Sequence, residues 1–406
     1  MEDKLLKHGG IMFSASMFSF FFAYVFHFYM ARTLGPENYG ILGAMLSLLY
    51  IFSVPSMVIT TTLAQIISEQ KGKEEYGKIK SVLLLSAKRL VYIGLIIFFI
   101  LMLLSPFLKN MLNLPSEFPV IALGFSLIFI TILPSPRGVL QGMQDFSSLG
   151  FNLAVEKPAL LLFGAILISI NMGINGAILS YGMASILVLI MAFIPLIPIL
   201  RLKSEKVSLS VYKYASPIFI LILCITIMSS IDVLFIRKYY PAEISGYFTA
   251  MKMLGEVIYF LAIALGGVLL PKVSELNTLN KRHSFLLRKT LFYFGLFLGV
   301  VLSAYAFAPG LIMRILFGGG YASISQYLVF YTLAMGLLSL AIIYMFYDIS
   351  VKRTVFRYPL IIFTLLEIFL LIIFHKTIEQ IILVQMITFF LLFVTVMIIN
   401  RRLNLA

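Results

Sequence analysis

The feature that most restricts this chain is the spacing of its apolar runs. Stretches of roughly 20 apolar residues, the length an α-helix needs to cross a bilayer, recur from one end to the other with short polar segments between them. The chain has 406 residues, 61% hydrophobic and 12% charged. Soluble domains average about 45–50% and about 25%. A transmembrane barrel would show alternating segments of about ten residues, and no such alternation is present. The sequence therefore predicts an all-α, multi-pass protein of the cell membrane.

Twelve candidate spans can be marked, at about 10–31, 40–67, 86–106, 119–140, 148–170, 174–200, 215–236, 246–270, 287–308, 325–347, 356–375 and 379–400. The opening "MEDKLLKHGG" is mixed in charge. The run after it is too long for the apolar region of a signal peptide, so it reads as a retained first helix. Placing the N-terminus in the cytoplasm puts 23 Lys and Arg residues in inside segments and 6 outside. The positive-inside rule then fixes an N-in, C-in orientation. The net charge of +14 follows this loop bias. No aromatic-basic module of the kind that binds nucleic acid is visible. The one cysteine, Cys224, sits in an apolar run, so no disulfide framework is possible. No loop is long enough for a separate soluble domain.

The segment after the first span has an echo. "RTLGPENYGILGAM" begins at Arg32 and "RKYYPAEISGYFTAM" at Arg237. Gly40, Ala44 and Met45 align with Gly246, Ala250 and Met251 at an offset of 206, and Ser68-Glu69 aligns with Ser274-Glu275 at the same offset. The chain thus reads as two six-span lobes, 1–205 and 206–406, joined by the basic connector from Arg201 to Lys213. Six spans per lobe leave both lobes in the same orientation. This predicts parallel repeats about an axis along the membrane normal, an arrangement found in transporters. A cavity between two such bundles would suit alternating access.

Three stretches carry a resemblance: the "ARTLGPENYG" turn from Ala31 to Gly40, the "RGVLQGMQDF" segment from Arg137 to Phe146, and the layout of Asp232, Gly246-Tyr247 and Pro271. In these the chain resembles the Wzx-type polysaccharide-biosynthesis flippases of the multidrug/oligosaccharidyl-lipid/polysaccharide exporter superfamily. The resemblance implies a fold of two six-helix lobes. It also implies movement of a polyprenyl-diphosphate-linked oligosaccharide from the cytoplasmic to the outer leaflet, for surface polysaccharide or glycan assembly. Its partners would be the lipid-linked sugar with its anionic diphosphate, membrane lipids and polysaccharide-assembly proteins; no cofactor is implied. Peptidoglycan-precursor flippases of the superfamily usually carry two further helices, which this chain lacks. Its multidrug exporters typically carry an acid in the first helix. The run from Ile11 to Ala31 has none, which counts against the alternative of an ion-coupled small-molecule exporter. A membrane glycosyltransferase or polymerase would need clustered acid/base or metal-binding residues. No Asp-x-Asp is present, and the four histidines have no metal-ligand spacing.

Ionisable residues inside apolar runs are the candidate sites, because a charge at the bilayer centre needs a cavity or a partner. Glu156 and Lys157 lie in the fifth run, with Lys157 near its middle and followed by Pro158. Lys157 reads either as a cation that meets the diphosphate or as the partner of a buried carboxylate. Arg137, at the end of the fourth run, is either a phosphate contact at the entrance or a positive-inside anchor. Lys252 and Glu256, four apart, share a helix face and can pair. Asp232 and Glu367 are the ion-coupling candidates; Asp232 could instead cap the outer end of a cavity. The glycine run from Gly318 to Gly320 lacks the Lys-Ser/Thr of a phosphate loop and is expected to be a flexible outer turn.

Overall fold

A computed structural model of the chain describes residues 2–205, 212–279 and 281–405. Residues 206–211, which hold the middle of the expected connector and the start of the expected second lobe, lie outside the described residues. Every regular element among the described residues is helical. The helices form two compact units, Met1–Phe219 and Ile220–Ala406.

The first unit contains α1 (Glu2–Gly72), α2 (Tyr76–Met111), α3 (Phe118–Ile132), α4 (Pro134–Gly142), α5 (Phe146–Ser169), α6 (Gly173–Phe193) and the single turn α7 (Ile197–Leu200). The first two expected spans form one long helix broken at a single residue. Gly35 has φ 73° and ψ 169°, a region open to glycine and almost nothing else. Pro36 then restarts the helix, where a missing N–H and a fixed φ cost nothing. Helix therefore resumes at Pro36 rather than at Gly40. The expected span 119–140 bends at Leu133, where Pro134 and Pro136 open α4. The Asp145 carboxylate caps α5 by accepting from the Ser148 N–H at 3.1 Å. The core of this unit gathers Leu63 and Ile67 of α1 with Val82 and Leu83 of α2, Val139 and Leu140 of α4, and Ala192 of α6.

The second unit contains most of α8 (Tyr212–Tyr239), then α9 (Ala242–Thr278), α10 (Ser284–Phe307), α11 (Pro309–Phe317), α12 (Leu328–Ser350), α13 (Arg357–Ile373) and α14 (Ile378–Leu405). The glycine run is wound rather than loose. Gly318 has φ 115°, and residues Gly319–Tyr327 form a 3-10 helix before α12. The core of this unit gathers Ile258, Leu269 and Val273 of α9 with Leu287 and Phe294 of α10 and Ile343 of α12. Leu269 and Val273 follow Leu63 and Ile67 by 206 residues, so each core uses the same two repeat positions.

Ten helical segments among the described residues are long and apolar enough to cross a membrane. Two places separate this count from the twelve apolar runs. Gly9–Ser56 counts as one segment of 48 residues although Gly35 divides it. The helix α13, with 17 residues, stands at the short limit for a crossing.

Candidate functional site

Each unit holds its own cluster of charges among its apolar helices. In the first unit Arg137 rides on α4, and two glycines set how closely that helix approaches α1. A Cβ on Gly138 would come within 2.8 Å of Leu63 Cβ, and one on Gly142 within 2.6 Å of the Ala64 carbonyl oxygen. The close approach directs Arg137 toward α5. There its Nε donates to Asn152 Oδ1 at 2.8 Å and its Nη2 to Glu156 Oε2 at 2.7 Å. Asn152 is buried and donates onward to the Val188 carbonyl of α6 at 2.6 Å, which fixes the amide. Lys157 Nζ binds the other oxygen of Glu156 at 2.7 Å. One carboxylate thus holds two cations, and the triad carries one excess positive charge.

This triad is not sealed. Arg137, Glu156 and Lys157 are 15%, 19% and 29% exposed, and all three line a cavity of about 270 Å³ within the unit. His27 and Tyr50 of α1 and Tyr181 and Ser185 of α6 share the lining. His27 Nδ1 lies 3.0 Å from the Tyr39 hydroxyl across the Gly35 break. The arrangement offers an anion two cationic groups at a polar cavity wall. The bidentate fork of arginine suits phosphate, and the compact ammonium of lysine adds a point charge.

The second unit is the reverse. Asp232 of α8 is completely buried. Its Oδ1 accepts from Lys252 Nζ at 2.9 Å, and its Oδ2 accepts from the Tyr331 hydroxyl at 2.8 Å and Gln385 Nε2 at 3.2 Å. Lys252 also donates to the Ser229 carbonyl. Glu256 stands 3.6 Å from Lys252, so the expected i, i+4 pair exists but is the looser of the lysine's two carboxylate contacts. Glu367 of α13 is fully buried, and neither of its carboxyl oxygens has a hydrogen-bond partner; the same holds for Gln385 Oε1. Against one lysine stand Asp232 and Glu256, and the second unit also holds the buried Glu367.

The structure thus brings Arg137, Glu156 and Lys157 together, and separately Asp232, Lys252 and Glu256. Asn152, Tyr331 and Gln385 complete these clusters and were not singled out from the sequence. Each is a neutral polar residue in an apolar run, and only its tertiary partner distinguishes it. Among the described residues no three His, Cys, Asp or Glu side chains gather into a metal-holding group.

The chain is 23% identical over 312 residues to an uncharacterized membrane protein of Methanocaldococcus jannaschii, which covers 71% of this chain and 72% of that one. Its fold matches an inward-facing multidrug resistance MATE family transporter of the MOP superfamily with a TM-score of 0.77 at 14% identity, over 94% of both chains. It also matches the lipid II flippase MurJ in an inward closed conformation with a TM-score of 0.71 at 15% identity, over 96% of this chain and 87% of that one. At these identities the matches establish a shared fold, and the apolar helical segments make the chain a multi-span membrane protein. Residues 5–277 match the family model for polysaccharide biosynthesis proteins, and the chain belongs to that family.

Proposed function

We propose that this protein is a flippase that moves a polyprenyl-diphosphate-linked oligosaccharide from the cytoplasmic to the outer leaflet by alternating access, without covalent chemistry. The observation that carries this reading is the Arg137–Glu156–Lys157 triad. It is a charged group with a cationic excess, within hydrophobic helices, that opens onto a cavity. Charges inside a membrane pair with one another or face a cavity, and they mark substrate pathways; the family is one of polysaccharide biosynthesis proteins. The diphosphate meets Arg137 and Lys157 while the prenyl tail stays in lipid. Two lobes, 1–205 and 206–406, in an N-in, C-in orientation are the proposed framework. Asp232, Glu256 and Glu367, with Lys252, form the proposed ion-coupling element of the second lobe.

The test is flipping of a fluorescent lipid-linked sugar in proteoliposomes that hold the purified full chain. Arg137→Ala with Lys157→Ala should abolish the flipping while the protein still inserts and unfolds at a normal temperature. Unchanged flipping in that variant would overturn the proposal. A second reading, ion-coupled export of a small molecule, draws on the acidic excess of the second cluster and on the likeness to a multidrug transporter. It predicts that wild-type protein exports cationic dyes and leaves lipid-linked sugars in place.

A further inference from the structure

The cavity of the first unit has a second wall that the charge triad does not explain. Ser53, Ser56 and Thr60 of α1 all line it. Spacings of three and four place them on one face of the helix. Ser53 Oγ donates to the Tyr50 carbonyl at 2.9 Å, and Thr60 Oγ1 donates to the Ser56 carbonyl at 3.3 Å. A hydroxyl has one donor hydrogen and two acceptor lone pairs. These two have given their hydrogen to the helix backbone and present only acceptor capacity to the cavity. Ser56 Oγ, between them, is buried and has no hydrogen-bond partner at all.

Such a row suits a ligand that donates. Phosphate oxygens at neutral pH are mainly acceptors and belong with Arg137 and Lys157. Sugar hydroxyls and acetamido N–H groups donate, and they satisfy Ser53 and Thr60 as well as the idle Ser56. We infer that the Ser53–Ser56–Thr60 face binds the sugar next to the diphosphate and sets which lipid-linked sugars are accepted. The phosphate sits at the cationic wall and the first sugar ring against the hydroxyl wall. The inference rests on the reading of this cavity as the lipid-linked sugar site.

Two soluble probes separate the walls: farnesyl diphosphate, and the same molecule carrying one N-acetylglucosamine on the diphosphate. Binding of each to the purified full-length protein is measured by titration calorimetry. Wild type should bind the glycosylated probe more tightly. Ser56→Ala with Thr60→Val should lose about tenfold or more of the affinity for it, as sites built around a ligand hydroxyl do when that match is lost. The same variant should hold its affinity for farnesyl diphosphate within about twofold, since its cationic wall is intact. Thr60→Ser, which keeps the hydroxyl, should bind both probes as wild type does and so excludes a packing defect. Equal losses for both probes, or none for either, would overturn the inference and leave the flippase reading standing. Wild type that binds neither probe would overturn both.

Discussion

The two charge clusters are built from similar parts and are used differently. In the first unit a carboxylate is divided between two cations that remain partly exposed to a cavity. In the second, one lysine serves two carboxylates, and a tyrosine, a glutamine and a backbone carbonyl fill most of the remaining hydrogen-bonding positions. The sign of the excess is reversed and so is the degree of closure. An open cluster can exchange a partner for a ligand at little cost. A closed one cannot lose a partner without leaving a charge stranded in a low-dielectric interior. On the proposed reading, the difference separates a place where a ligand binds from a place that holds helices together or moves a small ion.

The largest effect should come from breaking the closed cluster. Asp232→Asn leaves Lys252 with the Ser229 carbonyl and, at 3.6 Å, the Glu256 carboxylate, and loss of one partner of a buried pair costs about 3–5 kcal/mol. Thermal unfolding of the purified protein should show a large drop. Adding Lys252→Met removes the stranded cation and should recover part of it, since the Glu256 carboxylate then loses its own partner. A double variant that folds normally and still flips lipid-linked sugar would make the second cluster architectural. One that folds but has lost its dependence on an ion gradient would make it the coupling element.

A smaller effect distinguishes the two helix breaks. In the first unit the whole break rests on Gly35 at φ 73°. A side chain there meets no neighbour, so any cost comes from the backbone alone. Gly35→Ala should therefore destabilise by about 1–3 kcal/mol, the range for a residue forced into such a conformation. In the second unit the chain turns between Tyr239 and Ala242 with no positive φ. Tyr240→Ala should cost only about 1 kcal/mol, the worth of its hydrogen bond to the His375 carbonyl at 2.9 Å. A loss well under 1 kcal/mol for Gly35→Ala would show that the Gly35 conformation is not required.

The same contrast explains what could be read in advance. Charges inside apolar runs stand out by composition, so Arg137, Glu156, Lys157, Asp232, Lys252, Glu256 and Glu367 were all visible. Their partners followed only where spacing along one helix determined them. Lys252 and Glu256 were legible as a pair because four residues make one turn. The stronger partner of Lys252 is Asp232, twenty residues earlier and on another helix, and no local rule reaches that far. Tyr331 and Gln385 come from 99 and 153 residues away. The turn at Gly35 and Pro36 was legible from its residue types. That helix resumes at once on its far side was not, because proline signals an end as readily as a start.

The finest test of the comparison makes one substitution in both clusters. Glu156 occupies Arg137 and Lys157 with both of its oxygens, so on the proposed reading a diphosphate competes with it. Glu156→Gln keeps the shape and one acceptor oxygen but removes the competing charge. Affinity for farnesyl diphosphate should rise severalfold, an effect of about 1 kcal/mol at a partly exposed site. Release should slow in proportion, because affinity differences among variants of one site reside mostly in the off-rate, and flipping should slow with it. Glu256→Gln makes the identical chemical change against Lys252, a lysine already held by Asp232 and Ser229. No ligand competes there, so binding of the same probe should not change. If Glu156→Gln weakens binding instead, the carboxylate acts by holding Arg137 and Lys157 in position for the phosphate, and the open cluster is more like the closed one than its exposure suggests.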